Sequence, residues 1–319
     1  MSVSISEGRI LATAASRAVP VVGHADDLYA ALPVIDLATK SSRDLFGAAR
    51  GQLEQVLPDY LQQQRWFAGK SQVIDSVHIS DVIPVGDRGH LAMLDVRYAD
   101  AQPEMYALGL TKTVVAEAHA GEKLLAPLVR VQGADGTFIV SDAMSDAGFT
   151  RGLVDAMKGQ RTLDGSAGTI KGVGGGALDS AIKSLDDVAV TPLSLHTSNT
   201  SVKLTEPAGD ASVLKLVRRH DLHLTPGTPS RGLDVFKGSW LTDHTNFGNT
   251  PGVYGSLEYA ARDGAPRTLA VLSEFMPNDG DSWTHALSQV GDVLNSAVSS
   301  GADHPDVAAG IASYAKTAA

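Results

Sequence analysis

Val213-Leu-Lys-Leu-Val-Arg-Arg219 decides how the second half of this chain is read. It is a short apolar run with one lysine at its centre, and an unpaired cation in a buried strand is strongly disfavoured. Either an anion meets the ammonium of Lys215, or the strand lies at a sheet edge with its lysine in water. Upstream, Ser198-Asn-Thr-Ser201 is a hydroxyl-rich segment able to turn around phosphate groups. Downstream, a helix follows. The order is strand, polar turn, lysine strand, helix, and phosphate is the anion that suits it.

Working outward, 319 residues suffice for about two domains of ~150 residues. A formal charge of −10 and a pI near 5.4 argue against a nucleic-acid binder, whose affinity rests on neutralising phosphates. No apolar run reaches the ~20 residues a membrane helix needs. With no cysteine there is neither a disulfide framework nor a thiolate zinc site, which suits a reducing, cytoplasmic setting. Residues 1–40 read as a flexible leader, since Glu7 and Arg17 spoil a signal-peptide pattern.

From Ser41 onward, Leu45, Ala48, Leu53, Val56 and Leu57 recur at helical spacing, with Pro58 expected to break or restart the helix. Residues 73–83, 90–98 and 104–110 alternate between apolar and polar positions and predict an antiparallel sheet, with Gly136–Asp142 a further strand and Phe149–Met157 a helix. His78 and His90 lack ligand-spaced partners and read as structural or exposed. Gly172-Val-Gly174-Gly175-Gly176 resembles a phosphate loop only superficially: no Gly-Lys-Ser/Thr follows, and Ala177 replaces the last glycine. Residues 159–190 therefore read as a Gly-rich linker.

Several strings stand in a fixed order: Gln64-Arg-Trp-Phe-Ala-Gly-Lys70, His196-Thr-Ser-Asn-Thr-Ser-Val202, Val213–Arg219, Thr225-Pro-Gly227, Val253-Tyr-Gly-Ser-Leu-Glu-Tyr259 and Ser273-Glu-Phe-Met-Pro277. Their sequence and gaps resemble the bacterial maltokinases, including the kinase part of trehalose synthase fusions. The resemblance implies an α+β fold of the aminoglycoside-kinase type: a cap of curved antiparallel sheet plus helices at 41–158, then a protein-kinase-like N-lobe at 191–282. It implies transfer of the ATP γ-phosphoryl to the anomeric hydroxyl of maltose, or of a related sugar such as glucosamine, with ATP and Mg2+ as cofactors. Ser198, Asn199, Thr200 and Ser201 would cover the phosphates and Lys215 would hold them. Asp234, where the family has glutamate, would stand at the helix position that steadies the lysine. Glu274, Phe275 and Met276 would form the hinge against adenine.

His220-Asp-Leu-His-Leu224 is similar to the family's catalytic loop but lies before the helix instead of in the C-lobe, and reads as a surface connection. Residues 283–319 form a helical tail with Leu287, Val290, Val293 and Leu294 on one side. Asp292, Asp303 and Asp306 lack the context of an acceptor-orienting or magnesium-binding aspartate. The expectation is thus a cap and N-lobe with the helical C-lobe largely missing, and with the magnesium ligands on that missing part. Such a piece is inactive alone, or is a non-catalytic remnant that binds a nucleotide or a partner such as trehalose synthase.

Overall fold

The computed structural model describes residues 29–38, 40–114, 126–193, 198–220, 233–245, 247, 250–262, 264–278 and 282–300. Within them lie two seven-stranded sheets, together with helices on their faces.

The first sheet contains β1 (Val34–Asp36), β2 (Ile74–Val85), β3 (Gly89–Tyr98), β4 (Glu104–Val114), β5 (Pro127–Gly133), β6 (Gly136–Asp142) and the two-residue β12 (Arg219–His220). Its order is β1-β5-β6-β4-β3-β2, with β12 also on β4, and only β1 pairs in parallel. The alternating stretches read from the sequence become β2, β3 and β4: period-2 alternation places Leu94 and Leu108 on one face and Met93 and Ala107 on the other, and a register shift after Ile79 sends Ile79 to the first face and Ile83 to the second. Helix α1 (Arg50–Gln63) covers the first face with Leu53, Leu57 and Leu61. Contrary to expectation, Pro58 lies inside α1. It forfeits one backbone hydrogen bond, but the buried positions on either side hold the helix together. Part of the supposed leader also folds: Ile35, 1% exposed, anchors β1 beside β5.

The second sheet contains β7 (Thr162–Asp164), β8 (Gly168–Gly174), β9 (Ala189–Leu193), β10 (Thr200–Thr205), β11 (Ala211–Leu216), β13 (Val253–Ala261) and β14 (Arg267–Glu274), in the order β7-β8-β13-β14-β11-β10-β9. Helix α2 (Ala147–Lys158) packs on strands of both sheets. Asp146 caps it by accepting from the Phe149 amide at 2.7 Å, and Phe149, Leu153 and Met157 share one core with Met93 and Val85 of the first sheet and Val202, Leu214 and Leu257 of the second.

The glycine-rich join is not a linker. Its strand β8 pairs with β13 along seven residues, and α3 (Leu178–Ala181) buries Leu178 in the shared core. Glycine is required at 172 for a steric reason: a Cβ there would run into the carbonyl oxygen of Ala156 at the end of α2. The strands of the span expected for the lobe, β9-β10-β11-β14-β13, stand side by side, and β8 and β7 extend the sheet to seven.

Helix α4 (Leu233–His244) packs on β13. The chain divides into two compact units at 273/274, so cap and lobe sheets belong to one of them. The second holds α5 (Ser282–Ser300), on which Leu287, Val290 and Leu294 are each more than half exposed. The leader before residue 29, residues 221–232 and residues 301–319 of the expected helical tail lie outside the described residues. Among the described residues no helix is long and apolar enough to cross a membrane.

Candidate functional site

Strand alternation sorts β11 cleanly. Ser212, Leu214 and Leu216 are buried, with both leucines in the core between the sheets, while Lys215 points to the opposite face and is exposed. The strand is not an edge: β10 and β14 flank it, and Lys215 stands opposite Ser201 in the register. Ser201 is 5% exposed, and its neighbour across β10 is Leu193 of β9. The lysine is thus not the buried cation that the apolar run suggested. It stands on the free face of a central strand, available to an anion that approaches from outside.

The buried cation of this segment is Arg218, which is fully buried. Its guanidinium pairs with Asp142 at the end of β6, donates from Nη1 to the Ala107 carbonyl at 3.3 Å, and donates from Nε to the Thr200 hydroxyl at 2.9 Å. Trp66 covers its face at 4.5 Å. Its backbone N–H donates to Asn199 Oδ1 at 3.2 Å, and its carbonyl accepts from the Ala107 amide at 2.7 Å. Two of the four turn residues assigned to phosphate, Asn199 and Thr200, therefore hold Arg218, whereas Ser198 is exposed.

Arg219 continues the docking. Its guanidinium donates to Glu104 Oε1 at 3.1 Å, while Glu104 Oε2 accepts from the Tyr98 and Tyr106 hydroxyls at 2.6 Å each. Burial first, and the bond to Glu104 second, push both phenols well above their ordinary range. Gly69 leaves room for the Tyr98 hydroxyl, which a Cβ would strike. The next residue corrects a further expectation: His220 is 6% exposed in β12, opposite Met105 of β4, and is no surface connection.

A second junction was not read from the sequence. Asp81, fully buried, accepts from the Ser166 hydroxyl and the Ala167 amide at 2.8 Å each and from the Tyr259 hydroxyl at 3.1 Å. It ties β2 to the β7–β8 turn and to β13. The register shift between Ile79 and Asp81 turns its carboxylate inward, and a bulge of this kind leaves no periodic signal.

A cavity of about 190 Å³ lies between α4, β8 and β13, lined by Gly174, Ser239, Asp243, Ser256 and Glu258 among others. None of the predicted nucleotide residues lines it. Asp234 is the second residue of α4, and its side chain lies outside the described residues, as do residues 194–197 of the turn. Glu274 and Met276 are exposed and Phe275 is half-buried, with Asn278 Nδ2 donating to the Met276 carbonyl at 3.0 Å. Among the described residues no three His, Cys, Asp or Glu side chains converge to hold a metal ion.

Residues 60–146 match the maltokinase N-terminal cap domain family. That span holds Trp66, Gly69, Glu104, Ala107 and Asp142, the residues that receive Arg218 and Arg219. Among solved structures, a glucosamine kinase in complex with glucosamine, ADP and inorganic phosphate aligns at 16% identity over 79% of this chain and 45% of that chain, with a TM-score of 0.41. A second crystal of glucosamine kinase aligns at 17% identity and a TM-score of 0.42, over the same shares. The chain spans less than half the length of the solved structures it matches.

Proposed function

We propose that this chain carries the cap and nucleotide-binding lobe of a maltokinase-type sugar kinase, whose complete reaction moves the ATP γ-phosphoryl to the anomeric hydroxyl of maltose. The observation that carries the reading is Lys215 on the free face of β11, third in a β9-β10-β11-β14-β13 order with α4 inserted after the lysine strand. This arrangement is joined in one unit to a match with the maltokinase cap. Phosphoryl transfer depends on positioning and charge neutralisation, and a lysine fixed on a rigid strand provides a cation at a set place. Ser198, exposed at the start of the turn, is open to phosphate oxygens. Magnesium would neutralise further phosphate charge when bound.

The part of the reaction proposed for these residues is nucleotide binding; the group that orients an acceptor hydroxyl is not assigned among them. The related reading is a nucleotide- or partner-binding module without turnover. A trehalose synthase is the partner the family resemblance names, and the cytoplasm the compartment it suits.

The test is titration with a fluorescent ATP analogue plus magnesium, alongside phosphorus NMR of reactions containing ATP and maltose or glucosamine. The expected result is saturable binding, weakened about tenfold or more by Lys215→Ala, which removes a charge-assisted contact, and no sugar phosphate. Turnover abolished by Lys215→Ala would restore a self-sufficient kinase. Binding indifferent to Lys215→Ala would end the nucleotide role.

A further inference from the structure

We propose that Arg218 is a positioning residue through which the cap holds the hydroxyl-rich turn at residues 198–200. Three of the guanidinium's partners are cap residues from separate places in the sequence: Asp142 ending β6, Ala107 in β4, and Trp66 in the loop after α1. The fourth is Thr200, the first residue of β10, reached directly by Nε, and the adjacent Asn199 is held by the backbone of the same arginine. One fully buried side chain therefore fixes cap and turn to each other, three residues from Lys215.

The chemistry favours this assignment over generic packing. Arginine presents five donors in a rigid planar fork, so a guanidinium held by a carboxylate, a carbonyl, a hydroxyl and an aromatic face has one orientation. Rotating it to release Thr200 would strain its ion pair with Asp142 in a site where both side chains are buried. The chemistry of the turn is thereby divided: Asn199 and Thr200 position, and the exposed Ser198 is left to meet a ligand. The tryptophan of Gln64-Arg-Trp-Phe-Ala-Gly-Lys70 gains a role as the lid on the arginine.

The nucleotide part of this inference rests on the function proposed above, and the mechanical part does not, so two readouts separate them. The first is amide hydrogen exchange on the full chain without ligand, comparing residues 198–205 with β8. Thr200→Val, which keeps the shape and drops the acceptor, is expected to speed exchange at 198–205 about tenfold while 168–174 keep the wild-type rate. Thr200→Ser, which restores the hydroxyl, is expected to restore protection. Unchanged exchange at 198–205, or an equal rise in both segments, overturns the proposal.

The second readout is the Kd for magnesium and the fluorescent ATP analogue. Thr200→Val and Asp142→Asn should each weaken it about fivefold, with Thr200→Ser near wild type. Should Asp142→Asn fail to fold, the Thr200 pair decides alone. Wild-type affinity in Thr200→Val overturns the coupling, whereas absence of binding by the wild-type chain overturns the nucleotide reading and leaves the exchange experiment to decide this one.

Discussion

At position 220 an imidazole is nearly sealed from water, with Nε2 3.0 Å from the Val217 carbonyl oxygen. Burial disfavours its charged form most, the bond to Val217 pulls the other way, and the charge of Arg267 adds to the lowering, so its pKa is pushed down to about 4. The ordinary value in the unfolded chain is about 6.5, so the unfolded state takes up the proton first. Stability is complete above pH 6.5 and is lost as pH falls toward 4, by on the order of 3 kcal/mol from this residue. In urea titrations from pH 7.5 to 4, His220→Gln should show a shallower acid limb than the wild type, and equal slopes would refute the assignment. Sequence reasoning placed His220 on the surface because Val217–His220 is too short for its alternation to be seen. It weighed only Lys215 as the charge to be resolved in this segment and passed over Arg218, since the anion that selects Arg218 lies 76 residues away in Asp142. Burial of a charge is a tertiary fact, and a local string states only that some charge must be resolved there.

Elements with strong two-residue alternation, β2, β3, β4 and β6, were legible directly, and α2 was legible from Leu153, Val154 and Met157. Strand β8 was not. Glycines that read as chain flexibility are instead the condition for a close helix–strand contact: at 172 the opposing atoms are the backbone of Ala156, with the Met157 amide nitrogen at 2.9 Å from where a Cβ would lie. Backbone cannot swing aside as a side-chain tip can, so Gly172→Ala should destabilise by roughly 3 kcal/mol or more. Gly176→Ala, where nothing lies within 4 Å, should change stability by less than about 1 kcal/mol. Denaturant midpoints of the two variants check the contrast, and similar midpoints would mean that α2 and β8 are not in contact. Of the residues that the resemblance assigned to nucleotide, Ser201 lies opposite Lys215 in the register, because pairing follows from the hairpin. The division of labour within the turn was invisible without the cap.

For the molecule as a whole, one core serves two sheets. Leu91 and Met93 from the first meet residues of α2, which meet Ile170, Val202, Leu214 and Leu257 from the second, and Asp81 and Arg218 add polar fastenings across the same divide. A fragment of residues 29–158 would leave that side of α2 in water, an apolar patch of the kind that drives association. We expect it to keep strand signal in far-UV circular dichroism, to bind a hydrophobic dye, and to melt without a cooperative transition. A sharp two-state unfolding curve for the fragment would show that the cap is self-sufficient. The crossing of β12 into the first sheet has a further consequence, for the order of events during translation. Met105 and Tyr106 find partners in His220 and Arg219, which leave the ribosome more than a hundred residues later. At 5–20 residues per second that edge of β4 waits on the order of ten seconds, open to any passing strand, before its own chain arrives to close it.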